Sequence, residues 1–182
     1  MNQRNYLIID ACVLLNLIAT GIIREILNLI AQNSMICVLV KNESLYLRKE
    51  EDINENESVD IDDLINQGVI QICDCETAEE QELFVNLAAS LDDGEAMSLA
   101  IALSRNWQLA TDDKKARRIF KENNLNNDFL ISTTDLIKVW AESQNIADDI
   151  IKSILLKVAR KASFRPPKSD INLQWWNDIL SK

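Results

Sequence analysis

The sequence predicts an α/β fold in which a central parallel sheet is covered by helices on both faces. Two observations carry that expectation. Short, continuously apolar runs such as Tyr6–Ile9 and Met35–Val40 alternate with longer segments of helical periodicity. This is the pattern of strands buried on both faces and joined by helical crossovers. Beyond Gln144 the alternation stops and only helical patterns remain. Residues 144–182 therefore read as a C-terminal helical extension packed on or beside a domain of residues 1–143.

Along the chain, Tyr6–Ile9 is the first strand and Cys12–Ala19 a helix closed by Gly21. Ile22–Gln32 carries an apolar face at helical spacing. Met35–Val40 (MICVLV) is a second strand rich in β-branched residues, and a helix follows from about Asn42 with Glu43 near its start. Lys49–Ser58, polar and charged, reads as a solvated loop or a frayed helix end. Ile61–Asn66 is a short helix ended by Gly68, and Val69–Cys73 a third strand. Thr77–Ala89 opens on a Thr-x-x-Glu capping box and is helical. Then come a helix at Asp93–Arg105, a strand at Gln108–Thr111, a helix at Lys114–Asn123, a short strand at Phe129–Ser132 and a helix at Thr133–Ser143. In the extension, Ala147–Ala162 and Ile171–Leu180 are helices separated by a break at Arg165-Pro166-Pro167.

A chain of 182 residues with 47% hydrophobic content suffices for one domain with a full core. Its polar start, MNQRNY, shows no secretory pattern, and Asn16, Arg24, Asn28 and Gln32 interrupt the longest apolar stretches. The expectation is a cytoplasmic protein without a membrane span. The four cysteines, Cys12, Cys37, Cys73 and Cys75, are expected to be reduced thiols in or near the core. There is no histidine. That excludes a Ser-His-Asp triad, a Cys-His pair, a HExxH zinc site and imidazole general acid–base chemistry. Carboxylates, hydroxyls, lysine or a metal must do any hydrolytic work.

The net charge of −10 argues at first against nucleic acid. Its distribution does not. Residues 49–63 hold eight acids and one lysine, which is −7 of the total, whereas residues 144–182 hold seven basic and four acidic side chains, or +3.

Acids recur where strands end and helices begin: Asp10 after the first strand, Asp92-Asp93-x-Glu95 at one helix start, and Asp112-Asp113 after the strand at Gln108–Thr111. In an open α/β sheet the ligand crevice lies at the carboxyl ends of the strands, so Asp10 and Asp112 should face it. Each acid also has a purely structural use. Asp10 and Asp112 suit helix N-caps, Asp92-x-x-Glu95 resembles a capping box, Asp113 suits a helix dipole, and Glu43 suits a solvated helix. Together they form the ligand type of Mg²⁺ or Mn²⁺. A cation so held polarises a phosphoryl oxygen and acidifies water without histidine.

The segments LIIDACVLLNL, VLVKNESL, LDDGEAMSLAIAL and LATDDKKARRIF resemble the PIN-domain family of metal-dependent ribonucleases, which includes bacterial toxins. The resemblance spans roughly Tyr6 to Trp140, and is nearest to a subgroup with Gly-Glu-Ala and Asp-Asp-x-x-Ala-Arg signatures, here Gly94-Glu95-Ala96 and Asp112 to Arg117. It implies a three-layer α/β/α PIN-like fold and an acidic quartet at Asp10, Glu43, Glu95 and Asp112, with Asp113 accessory. Asp10, Glu95 and Asp112 would hold the metal. Where members often carry a small hydroxyl near the first aspartate, this chain has Ala11-Cys12. Thr111, Ser132 and Thr133 are further hydroxyls near the site, the last two more suited to capping.

Lys114, Lys115, Arg117 and Arg118 follow the last acids on one helix. They suit either a solvated face or phosphate contacts that position RNA without reading its sequence. Arg160, Lys161, Arg165 and Lys168 form a second basic group, and Trp175-Trp176 is expected to pack in the core. The function expected is metal-dependent endoribonuclease, with RNA as substrate and a toxin-like role restrained by an antitoxin or other protein docked on the C-terminal helices. A homodimer is compatible with it. The alternatives are a catalytically silent PIN-like binding subunit, a metal-dependent phosphatase or a DNA nuclease.

Overall fold

The computed structural model describes residues 6–43, 45–49, 52, 54–123 and 129–182. Five parallel strands form the central sheet: β1 (Tyr6–Ile9), β2 (Asn33–Cys37), β5 (Gln71–Cys73), β6 (Gln108–Ala110) and β7 (Leu130–Ile131), in the spatial order β5-β2-β1-β6-β7. Leu7, Ile8 and Ile9 of β1 are fully buried, as expected for the middle strand of a sheet covered on both faces. The order reverses at β1, whose neighbours are β2 on one side and β6 on the other. Ligands bind beside the carboxyl ends of strands at such a switch point.

Two groups of helices cover the sheet. On one side α6 (Asp93–Arg105) packs against α3 (Val38–Asn42), α5 (Ala78–Ala88) and α7 (Lys114–Asn123). On the other, α1 (Ala11–Thr20) packs against α2 (Ile23–Ile30), α8 (Thr133–Ser143) and α9 (Asp148–Lys161). Alanines and Leu99 and Ile101 bury α6 almost completely. Gly21 (φ 78°) ends α1, and Gly68 (φ 69°) follows the short helix α4 (Asp62–Asn66), both in the left-handed conformation that suits glycine. The Thr77–Glu80 capping box is present at α5. No single helix among the described residues is long and apolar enough to cross a membrane.

The structure departs from the sequence reading in three places. The run Met35–Val40 is not one strand: β2 stops at Cys37, and Val38–Asn42 is helical despite its β-branched residues. Cys37 caps this helix through its sulfur, which accepts a hydrogen bond from the Val40 N–H at 3.5 Å, and Val40 is buried. Burial and a cap override β-propensity here. Glu43 accordingly ends helix α3 as its C-cap and does not begin a helix.

Residues 49–58 are not merely a loop. β3 (Tyr46–Arg48) pairs antiparallel with β4 (Asn56–Ser58), and Leu47 turns into the core; positions 50, 51 and 53 lie outside the described residues. β4 carries no apolar side chain and is exposed throughout, so hydrophobic patterning had nothing to detect. The C-terminal extension packs on the rest of the fold. Ile151, Ile154, Leu155 and Val158 of α9 are buried, α9 packs on α1, and α10 (Leu173–Ser181) packs on α9 through Trp176 and Ile179. Trp176 also meets Phe164 edge to face at 5.8 Å.

Candidate active site

The backbone first places Asp10 and Asp112. The Asp10 N–H extends the ladder to the Ala110 carbonyl (3.1 Å), and the Thr111 N–H bonds the Ile131 carbonyl (3.1 Å). Both acids therefore leave adjacent strands at the switch point. Asp10 caps α1, its Oδ1 accepting from the Val13 N–H at 2.8 Å. Its other oxygen, Oδ2, is buried and has no hydrogen-bond partner among the described residues. Capping thus uses half of this carboxylate and leaves half unexplained. An unpaired buried oxygen is costly. Burial pushes the Asp10 pKa up to about 7, and the Asp112 and Glu95 charges add to this, while the nearby Thr111 hydroxyl and the Val13 amide pull it back.

Asp112 is anchored from both flanks. The Thr133 hydroxyl donates to Oδ2 at 2.6 Å and the Thr133 N–H to Oδ1 at 3.1 Å, while the Asn16 amide donates to Oδ2 at 3.2 Å and to the Thr133 hydroxyl at 3.0 Å. Burial still raises its pKa, tempered by Thr133 and Arg117. Thr133 therefore orients an acid, whereas Ser132 closes a capping box with Asp135 as expected. Asn16 was seen in the sequence only as an interruption of an apolar run. Its signal was a buried amide on an otherwise apolar helix.

Glu95, on the first turn of α6, accepts from the Asp92 N–H, but the Asp92 side chain makes no cap bond, so the capping box is only half formed. Burial raises the Glu95 pKa, with Asp113 and Asp92 adding to it. Glu43 reaches in beside Gly94, where a Cβ would collide with its Oε1. Partial burial and the Asp92 charge raise the Glu43 pKa. Cys37 fixes this corner: its thiol donates to the Gly94 carbonyl at 3.6 Å and accepts from Ser98 Oγ at 3.5 Å, linking β2 and α3 to α6. Asp113 chiefly caps α7, Oδ1 accepting from the Lys115 and Ala116 amides at 2.8 and 2.7 Å.

Glu95, Asp112 and Asp113 line a cavity of about 390 Å³ together with Cys12, Asn16 and Lys114, and residues 162–165 and Pro167 form its opposite wall. Cys12 is exposed rather than in or near the core as expected, and partial desolvation beside the surrounding acids pushes its thiol pKa up to about 12. All four cysteines are free.

Of the basic residues expected to contact substrate, Lys114 lines the cavity. Arg117 is turned inward, donating to the Thr111 carbonyl at 2.7 Å and the Ile131 carbonyl at 3.3 Å. Lys115 bonds the Ser90 carbonyl, and Arg118 pairs with Glu122 at 3.7 Å. In the second basic group, Lys161 pairs with Glu57 at 3.1 Å, whereas Arg165 stands on the cavity wall across from the acids.

This geometry coincides with a family assignment. A family model described as PIN domain matches residues 6–169. The chain belongs to the PIN-domain family. PIN domains form a nuclease superfamily that typically uses divalent metals. The PIN match runs past Ser143 through all of α9, in keeping with the shared core of that helix. No curated protein and no solved structure matches the chain.

The donor set of this PIN domain suits a hydrated cation. No three Asp, Glu or Cys side chains among the described residues converge closely enough to enclose a bare ion. Mg²⁺ does not require enclosure: it keeps several waters and takes one or two carboxylates directly. The unpaired Asp10 Oδ2 and the raised pKa values of Asp10, Glu95 and Asp112, each raised first by burial and then by neighbouring carboxylates, mark where positive charge is lacking.

Proposed function

We propose that this protein is a divalent-cation-dependent endoribonuclease whose reaction is carried by Asp10, Glu95 and Asp112. The observation behind this reading is the placement of Asp10 and Asp112 just past the carboxyl ends of the adjacent strands β1 and β6 at the switch point, with one buried Asp10 oxygen left unpartnered. Mg²⁺ or Mn²⁺ bound there supplies Lewis acidity toward a phosphoryl oxygen. Asp10 and Asp112 are the direct ligands in this reading, preset by Val13, Thr133 and Asn16. Glu95 would complete the set of carboxylates that holds the cation. Glu43 and Asp113 orient the attacking water, and Lys114 and Arg165 hold the phosphodiester in the cavity. Water adds to phosphorus as the P–O bond to the leaving ribose breaks. The finer role in this reading is a toxin restrained by a partner protein, and what supports it is the resemblance to PIN-domain toxins.

The test is cleavage of a pool of single-stranded and structured RNAs with Mn²⁺, with Mg²⁺ and with EDTA. Asp10→Asn and Asp112→Asn should each lower cleavage by at least about 100-fold, the scale of losing one group that stabilises charge in the transition state, and both should stay folded. Undiminished cleavage in either variant rejects the assignment. A folded wild-type protein that cleaves no RNA under any condition rejects the enzyme in favour of a silent binding subunit.

A further inference from the structure

A second cavity, of about 620 Å³, adjoins the acidic one and shares Asp112, Lys114 and Pro167 with it. Its volume lies in the range of small-ligand sites, roughly 300–1,000 Å³. One wall is α7, which presents Lys114, Arg117, Arg118 and Lys121 together with Glu122; the other is the segment from Pro167 to Ile171. The carboxylates of Asp112, Asp135 and Asp170 also belong to the lining, each already held by hydrogen bonds from neighbouring hydroxyls or amides. No ion pair engages Lys114 or Lys121 among the described residues. Leu130, Pro167 and Ile171 give the cavity apolar surface, and Ile171 is 87% exposed, the most exposed large apolar side chain of those described.

The segment is held rigidly against α8. Asp170 accepts from the Thr134 hydroxyl at 2.9 Å and from the Asn172 N–H at 2.7 Å, and the Asn172 amide donates to Asp135 at 2.6 Å. This network sets Ile171 at the rim with no packing partner of its own weight behind it.

Cations beside apolar surface are the chemistry of a nucleotide, which needs charge for its phosphate and an apolar platform for its base. We infer that this second cavity is a subsite for the nucleotide flanking the scissile phosphate, with Lys121 on its phosphate and Ile171 and Pro167 against its base. The inference rests on the ribonuclease reading for the place of the scissile phosphate. It adds that the C-terminal segment, and not only the acidic end of the sheet, grips the substrate.

Binding separates the two. Fluorescence anisotropy of a labelled oligouridylate on full-length Asp10→Asn protein needs no cleavage. Adding Lys121→Glu should weaken binding at least tenfold and flatten the dependence of log K on log salt by about 0.7, the increment of one phosphate contact to a single strand. Adding Ile171→Ala, at an exposed position that bears little on stability, should weaken binding severalfold with the salt slope unchanged. Arg24→Glu, on α2, is the control and should change neither. Unchanged affinity in both test variants, or no oligouridylate binding at low salt, overturns the subsite. Wild-type cleavage beside unchanged binding leaves the ribonuclease standing without the subsite. Absent cleavage beside the predicted binding pattern overturns the ribonuclease and the place given to the scissile phosphate, and leaves a nucleotide-binding cavity only.

Discussion

Gly94 illustrates how a single residue shapes the site. Its role is space, not backbone freedom, since a Cβ there would collide with the Glu43 carboxylate. That carboxylate is the end of a flexible side chain and can swing away, so Gly94→Ala should leave the melting temperature nearly unchanged. Displacing Glu43 by about an ångström should nevertheless slow cleavage roughly 10–100-fold. Thermal melts and initial rates on one preparation check both halves, and a large loss of stability would show that Gly94 serves the fold. The acids were legible because carboxylates after strand ends have few structural uses in common. Their supports were not. Cys37, Ser98 and Asn16 act through contacts across 61, 57 or 96 positions of sequence, and spacing along a chain says nothing about such pairs.

Among the elements, those with local signals were legible to within about a residue at each end. Asp93–Arg105, Lys114–Asn123 and Thr133–Ser143 match their expected limits because each is bounded by a cap, a turn or a polar break. The misread elements, α3, β3 and β4, are five, three and three residues long and owe their form to tertiary contacts, β3 standing where a helix from about Asn42 was expected. The junction of α5 and α6 offers a stability test. Glu80, 3% exposed, accepts from Arg105 Nε at 2.7 Å and from the Glu76 and Thr77 amides. The Arg105 hydrogen bond above all lowers its pKa to about 2. A depressed carboxylate pKa contributes stability above the unfolded value near 4.5, and loses it as pH falls toward 2. Glu80→Gln should therefore cost on the order of 3 kcal/mol at pH 7, and urea melts should show the difference from wild type shrinking below pH 4. A constant difference would mean that packing, not charge, is lost.

For the whole molecule, the helices after Ser143 pack their apolar faces on the domain that precedes them. Burying Ile151, Ile154, Leu155, Val158, Trp176 and Ile179 contributes on the order of 10 kcal/mol, comparable to the total stability of a typical domain. A chain cut after Ser143 should fail to give a cooperative melt by circular dichroism; a sharp transition would restore the extension to an appendage. The sequence could not reveal this sharing, because helical periodicity shows that a face is apolar but not what it covers.

The same cooperation of scales governs the acids. With no cation, Asp10 has a folded pKa near 7 against an ordinary 3.8. The folded state therefore holds a proton that the unfolded state has lost, and stability declines as pH rises through 7. A divalent cation takes the place of that proton. We would measure the melting temperature with and without Mn²⁺ at pH 8 and pH 5, in wild type and in Asp10→Asn. At about 100 times its dissociation constant the ion should add ~2.7 kcal/mol, roughly 5–10 °C for a chain of this size. That gain should appear at pH 8, fall away at pH 5, and be lost in Asp10→Asn. Equal stabilisation of the variant, or none of wild type at pH 8, would contradict a cation seat at Asp10.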